Sequence, residues 1–263
     1  MAKRTLDFLN GLLSLFVAVI VLTFGAYSVY ALWDNNRIYT AVDDVQSALL
    51  KLKPSADAEE SGASFEELLA INKDVCGWVT LDNTAIDYPI LQGENILTYI
   101  NTDVYGKFAL AGSIFLDTDN DRTFHDAYSL IYGHHMDQHK MFGDLDLYKE
   151  KKFFDENTTG MLILPDRSYE LEIFACLLIE SSEDAIFGVE QWLTDIEGLL
   201  EFSEKEALHQ HQETVDLLRK DEKPQVLALS TCATEFTDAR TIVLARMVPY
   251  KAESAGAADI SEE

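Results

Sequence analysis

Two residues near the end of the chain have types and spacing suited to nucleophilic chemistry. Cys232 ends the apolar run QVLALST, and Arg240 begins the next apolar run, RTIVLARMV. Two adjacent strands joined by a short loop bring such ends together, so Arg240 is predicted to project beside Cys232. A nearby cation favours the nucleophilic thiolate, and arginine can hold a carbonyl oxygen as negative charge develops. A buried cysteine with a surface arginine is nevertheless the favoured interpretation of these two residues alone.

A histidine upstream could supply the proton-transfer group. His134 ends the strand-like run YSLIYG, and a cysteine nucleophile needs a partner that holds or returns a proton near neutral pH. Together with His135 and His139 it also raises the possibility of a zinc site. No carboxylate or cysteine stands at a recognisable ligand spacing, so no metal site is predicted. His209 and His211 are predicted to be surface residues of an acidic helical insert.

The other two cysteines are predicted to be structural. Cys76 and Cys176 lie in the apolar runs VCGWV and FACLL, where a free cysteine usually behaves as a small buried hydrophobe. The odd count of three leaves at least one free thiol, and the spacing forms no CxxC pair.

The charge limits the possible partners. The formal net charge is −26 over 263 residues, and such an acidic surface repels phosphate backbones. Nucleic acid is therefore not a predicted partner, and most of the charge is interpreted as a solvated, solubilising face.

An uncharged apolar stretch lies near the N-terminus. Residues 12–33 are long enough to span a bilayer core as a helix. Lys3 and Arg4 precede the stretch and Asp34 follows it, so the positive-inside rule places the N-terminus in the cytoplasm and the remainder outside. A cleaved signal peptide is the alternative, although its apolar region would normally be shorter.

Between this stretch and residue 75 the pattern is helical. Residues 34–52 predict an amphipathic helix that Pro54 ends, followed by the polar linker SADAEESGA. A second helix is predicted to begin at Ser64 as its N-cap, with Glu67 as the capping-box partner.

From Cys76 onward, about eight short apolar runs alternate with turn residues, which predicts a closed or nearly closed β-barrel. Two helical inserts interrupt the runs: a short one around MFGDLDLYK and a long one over about residues 189–220. The small, acidic residues at 251–263 predict a disordered tail. The predicted strands are CGWVTL, AIDYPIL, GSIFLD, YSLIYGH, GMLILP, SYELEIFACLLIE, QVLALSTC and RTIVLARMVPY.

The chain contains an ordered set of motifs: Tyr88-Pro89, GSIFLD at 112–117, Tyr132-Gly133-His134, MFGDL at 141–145, Thr231-Cys232 and Arg240. Taken in order, these motifs resemble the sortase family, and most of all class B sortases. The resemblance covers about residues 35–250, and the ordered set is far more specific than any one motif. By its position after Tyr-Gly, His134 rather than His135 matches the catalytic histidine.

The resemblance implies a mainly-β protein with an eight-stranded sortase-type barrel, N-terminal helices and a long helical insert before the seventh strand. The predicted organisation is a cytoplasmic tail and transmembrane anchor (1–33), a helical extension and linker (34–66), the catalytic barrel (67–250) and an acidic tail (251–263).

The implied activity is that of a cysteine transpeptidase, with Cys232, His134 and Arg240 as its catalytic residues and with no cofactor. Its partners would be secreted proteins bearing a C-terminal sorting motif, and an amine of a peptidoglycan precursor or a pilin. Two alternatives remain: a cysteine peptidase that uses water as acceptor, and a membrane-anchored binding domain without chemistry.

Overall fold

The computed structural model describes residues 2–231 and 239–251, and the chain divides into two units between Asp44 and Val45. Helix α1 spans Ala2–Leu49, and the first unit is its part up to Asp44. Its large apolar side chains from Leu6 to Trp33 are exposed. The helix is long and apolar enough to cross a membrane, and none of its most apolar stretch is buried.

The second helix begins earlier than predicted. After a 3₁₀ turn at Leu50–Leu52, helix α2 spans Ala58–Ile71. Ser61 N–H donates to Asp57 O (3.0 Å), so Ser64 lies inside the helix and the predicted N-cap is wrong. Alanine and glutamate are strong helix formers, and this preference outweighs the linker-like appearance of SADAEESGA.

Eight strands close into a barrel, as predicted. The strands are β1 Val75–Leu81, β2 Asp87–Leu91, β3 Ile114–Leu116, β4 Tyr128–Gly133, β5 Thr159–Ile163, β6 Ser168–Glu180, β7 Val226–Thr231 and β8 Ala239–Pro249. Their order around the barrel is β1-β2-β3-β4-β7-β8-β6-β5, and β5 pairs again with β1. All neighbours are antiparallel except β2–β3 and β4–β7.

Several strands are buried on both faces. Every residue of β7 is buried. One core cluster joins Leu130 and Ala228 of the barrel to Leu199 and Val215 of the insert. A second cluster packs Trp78 of β1 with residues of α2. Covered on both sides, these strands read as continuous apolar runs rather than as an alternating pattern.

The long insert is helical but is not one helix. It contains α4 (Asp184–Phe187), a 3₁₀ turn (Val189–Trp192), α5 (Glu197–Glu206) and α6 (Gln212–Lys220). Between α5 and α6, His209–Gln210 pairs with β6. Leu208 N–H donates to Cys176 O and His211 N–H donates to Phe174 O (both 2.8 Å). In a continuous helix, these backbone N–H groups would instead donate to carbonyls of the preceding helical turn.

The prediction that His209 and His211 are surface residues of the insert is wrong. His209 Nε2 donates to Lys149 O (2.7 Å), and the His211 ring lies 4.3 Å from that of Phe154. Both rings are half-buried. Phe154 belongs to α3 (Lys151–Glu156), which follows a 3₁₀ helix at Gly143–Lys149.

Candidate active site

The parallel pairing of β4 with β7 brings two strand ends to the same rim of the barrel. Its register runs from Val226 opposite Tyr128 to Thr231 opposite Gly133. In sequence, His134 follows Gly133 directly and Cys232 follows Thr231 directly. Cys232 lies outside the described residues, so the structure places its chain neighbour Thr231 but not its thiol.

The loop between β2 and β3 orients the His134 ring. His134 Nε2 lies 2.6 Å from the carbonyl oxygen of Ile100. A carbonyl oxygen can only accept a hydrogen bond, so Nε2 carries a proton. Nδ1 is therefore the ring nitrogen left to exchange a proton with a substrate or a thiol.

Two glycines permit this arrangement. A Cβ at Gly133 would clash with Ile114 Cδ1 and would lie 2.7 Å from Phe142 Cγ. Gly112 has φ +58°, and a Cβ there would lie 2.5 Å from the same Ile100 oxygen that binds His134. A side chain at either position would displace the strand end or the acceptor of the His134 ring.

Gly112→Ala is expected to lower turnover strongly, because the new methyl group displaces the Ile100 carbonyl and with it the His134 ring. A misplacement of about 1 Å can cost on the order of 10²-fold in rate. Gly106→Ala is the matched control. Gly106 lies in the same loop with φ +74°, but a Cβ there would meet nothing within 4 Å. Equal turnover losses in the two variants would show that backbone strain, not the Ile100 carbonyl, is responsible.

Arg240 lies at the start of β8 and reaches the end of β7. Its Nη1 donates a long hydrogen bond to Thr231 O (3.4 Å). Its Nε is buried and has no hydrogen-bond partner among the described residues. The guanidinium thus lies against the residue that precedes Cys232.

A further carboxylate, which sequence analysis does not indicate, lies at this end of the barrel. Asp146 accepts hydrogen bonds from Thr241 Oγ1 (2.6 Å), Lys149 Nζ (2.8 Å) and His135 Nε2 (3.1 Å). Burial alone would raise the pKa of Asp146, but the hydrogen bonds from His135, Lys149 and Thr241 hold it well below its usual range. The bond to Asp146 raises the pKa of His135, against the opposing effect of burial.

These shifts predict a pH-dependent contribution to stability. The raised pKa of His135 stabilises the fold fully below its ordinary value of about 6.5, and this contribution is lost as the pH rises through the folded-state value. The lowered pKa of Asp146 contributes above about 3.9 and is lost as the pH falls through its own folded-state value. His135→Gln should therefore lower the free energy of unfolding more at about pH 5 than at about pH 9, by roughly 0.2–1 kcal/mol. Denaturant unfolding at both pH values measures this, and an equal loss at both would contradict it.

Two of the three clustered histidines, His135 and His139, form hydrogen bonds with carboxylates. His135 binds Asp146, and His139 Nδ1 donates to Asp144 Oδ1 (2.6 Å). Within residues 2–231 and 239–251, no group of three or more His, Cys, Asp or Glu side chains could hold a metal ion. The prediction that the protein uses no cofactor stays a prediction.

The burial predicted for the other two cysteines is confirmed. Cys76 is 4% exposed and Cys176 is 0% exposed. Burial raises the pKa of each thiol to about 12, and Cys76 Sγ donates to Ile90 O (3.4 Å). Both thiols are therefore protonated at neutral pH and are poor nucleophiles.

Comparison with known proteins agrees with this architecture. No protein-family model matches the chain. Sortase B of Listeria monocytogenes is 30% identical over 247 residues, which cover 92% of this chain and 98% of that protein. A class B sortase of Streptococcus pyogenes involved in pilus biogenesis superimposes with a TM-score of 0.61 and 35% identity, covering 72% of this chain and all of the other. A mutant form of Clostridium perfringens sortase B gives a TM-score of 0.68 and 25% identity, covering 78% and 97%.

The closed barrel and these relatives define a cysteine transpeptidase. The chain belongs to the sortase family and is similar to class B sortases.

Proposed function

We propose that Cys232, His134 and Arg240 carry out the transpeptidation, on a sorting motif near the C-terminus of secreted proteins. The observation that supports this most directly is the register of β4 and β7, which ends with Gly133 opposite Thr231. Because Cys232 is bonded to Thr231 and His134 to Gly133, the thiol and the imidazole belong to neighbouring strand ends. The Arg240 guanidinium donates to Thr231 O, at the end of β7.

In the acylation step, the Cys232 thiolate attacks the carbonyl carbon of a threonine in the sorting motif. Arg240 stabilises the negative charge that develops on the carbonyl oxygen. His134, as imidazolium, donates its Nδ1 proton to the leaving amine while Nε2 stays bound to Ile100 O. The C–N bond breaks, and a thioester and a free amine result.

In the second step an amine attacks the thioester, and neutral His134 takes its proton. The new amide forms as the C–S bond breaks, and Cys232 returns to the thiolate. The acceptor is an amine of a cell-wall precursor or of a pilin lysine. The pilin alternative is supported by the similarity to the S. pyogenes sortase involved in pilus biogenesis.

An amine-competition experiment tests transfer against hydrolysis. A threonine-containing peptide library is incubated with the enzyme, with and without hydroxylamine, and the products are identified by mass. Transpeptidation predicts that the N-terminal fragment carries the added nucleophile. A fragment ending in a free carboxylate at every hydroxylamine concentration would favour the cysteine-peptidase alternative.

Arg240→Ala and Arg240→Lys should both lower turnover on a cleaved library peptide. Lysine keeps the charge but lacks the planar fork of donors, and the loss of one oxyanion donor typically costs on the order of 10²–10³ in rate. The matched control is Arg246→Lys. Arg246 lies on the same strand but pairs with Glu172 and Asp221. Wild-type turnover in Arg240→Ala would exclude the proposed role.

We further propose that α1 anchors the protein in the membrane with its N-terminus in the cytoplasm. The exposed apolar side chains from Leu6 to Trp33 support an anchor, and Lys3 and Arg4 before that stretch support the orientation. Protease treatment of intact protoplasts should then remove the barrel. A soluble protein in the medium that lacks residues 1–33 would favour the signal-peptide alternative.

A further inference from the structure

A hydrogen-bond network around one carboxylate links three chain segments at the barrel rim. His135 follows His134, Thr241 follows Arg240, and Thr231 precedes Cys232. Asp146, on the 3₁₀ helix Gly143–Lys149, binds His135 and Thr241 directly. Each of the three proposed catalytic residues thus has a chain neighbour in this network.

Thr241 is the central link of the network. Its Oγ1 donates to Asp146 Oδ1 (2.6 Å), and its backbone N–H donates to Thr231 Oγ1 (3.1 Å). Thr241 is 3% exposed and Thr231 is 4% exposed. Water cannot readily replace a buried hydrogen bond, so its removal leaves an unsatisfied polar group.

We propose that Asp146 and Thr241 are positioning residues of the active site, which hold the rim ends of β4, β7 and β8 at the spacing that transpeptidation needs. The inference rests on the proposed roles of Cys232, His134 and Arg240. Neither positioning residue is assigned a contact with substrate.

The position of Thr241 affects Arg240 through the backbone of β8. Successive side chains of a strand point to opposite faces, so the contact that fixes Thr241 also fixes the direction in which Arg240 projects. On the other side, Asp146 Oδ2 binds His135 and Lys149. Hydrogen bonds to an ionised carboxylate are about twice as strong as those between neutral groups, which makes Asp146 a firm attachment point.

The same 3₁₀ helix contains a natural comparison. Asp144 also binds a histidine, His139, and it accepts a hydrogen bond from Ala85 N–H (2.7 Å). Neither partner adjoins a proposed catalytic residue. Asp144 is thus a buried, histidine-paired aspartate with a structural role, against which the effect of Asp146 can be measured.

The decisive variant is Thr241→Val, which keeps the side-chain shape and the backbone bond to Thr231 but removes the bond to Asp146. Assayed on the library peptide that the wild type cleaves fastest, it should lower kcat by about 10–10²-fold, as expected for a small misplacement of reacting groups. KM should change by less than about threefold, since no substrate contact is lost. Thr241→Ser, which keeps the hydroxyl, should recover most of the lost rate.

Asp146→Asn and Asp144→Asn complete the test, with thermal unfolding measured for every variant. Asp146→Asn should lose kcat at a temperature where it remains folded, whereas Asp144→Asn should lose stability but not kcat. Wild-type kcat in folded Thr241→Val, or equal kcat losses in the two aspartate variants, would overturn the positioning role.

Results that contradict the proposed function differ from results that contradict only the positioning role. If the wild type cleaves no library peptide and iodoacetamide does not label Cys232, the catalytic assignment falls and the positioning role falls with it. If the wild type is active and Thr241→Val matches it, only the positioning role is lost.

Discussion

Cys232→Ala is expected to abolish transfer, with a loss on the order of 10⁴–10⁶ in rate, because it removes the nucleophile and no other group can form the thioester. In the wild type, a fragment of a cleaved peptide should remain attached to Cys232 and should be released by an added amine. Mass spectrometry of the intact protein and of its digest measures the adduct and its position.

The two buried cysteines provide the controls for this experiment. Cys76→Ala and Cys176→Ala should keep the adduct, because burial raises the pKa of both thiols to about 12 and keeps them protonated. An adduct on Cys76 or Cys176 would mean that the site assignment is wrong. If no peptide gives an adduct and a thiol reagent leaves Cys232 unlabelled, the binding-domain alternative is the better account.

His134→Ala is expected to reduce turnover by on the order of 10²–10⁴-fold, the usual contribution of general acid–base catalysis. The replacement removes the ring whose Nε2 is bound to Ile100 O and whose Nδ1 is left for proton transfer. His135→Ala should have a much smaller effect, because its Nε2 is bound to Asp146. Steady-state kinetics of the two single variants separates these adjacent histidines, and an essential His135 would refute the assignment.

The pH–rate profile provides a second measurement of the same pair. The active form is proposed to be the Cys232 thiolate with the His134 imidazolium, so the two groups must hold opposite protonation states. The profile should therefore be bell-shaped, with limbs that belong to the pair rather than to either residue. Loss of the bell in His134→Ala would support the pairing, and an unchanged bell would contradict it.

The sequence was most informative where apolar runs end in polar residues. His134, Cys232 and Arg240 each stand at such a boundary, and the structure places Gly133, Thr231 and Arg240 at one rim of the barrel. The closed barrel was predictable for a related reason: buried strands leave apolar runs, separated by turns, that are visible without any tertiary information.

Other features depend on contacts that local sequence does not encode. Asp146 and Thr241 are distant in sequence, and the closure of the barrel brings them into contact. The Ile100 carbonyl can bind His134 because Gly112, which has no Cβ, leaves room for that carbonyl. The break between α5 and α6 arises where His209–Gln210 pairs with the edge of β6. Helix α2 begins before the capping-box pattern at Ser64, because the residues that precede Ser64 have high helix propensity.

The parallel pairing of β4 with β7 also affects how the protein matures. It joins residues 128–133 to residues 226–231. The chain between these two strands includes the long insert, which packs on the barrel. Contacts between segments so distant along the chain form late, because the entropy of closing the loop must be lost before the pairing stabilises it. An incomplete or newly synthesised chain thus holds the histidine segment without its partner strand. The proposed active site assembles only as folding is completed, which leaves partly folded chains without transpeptidase activity.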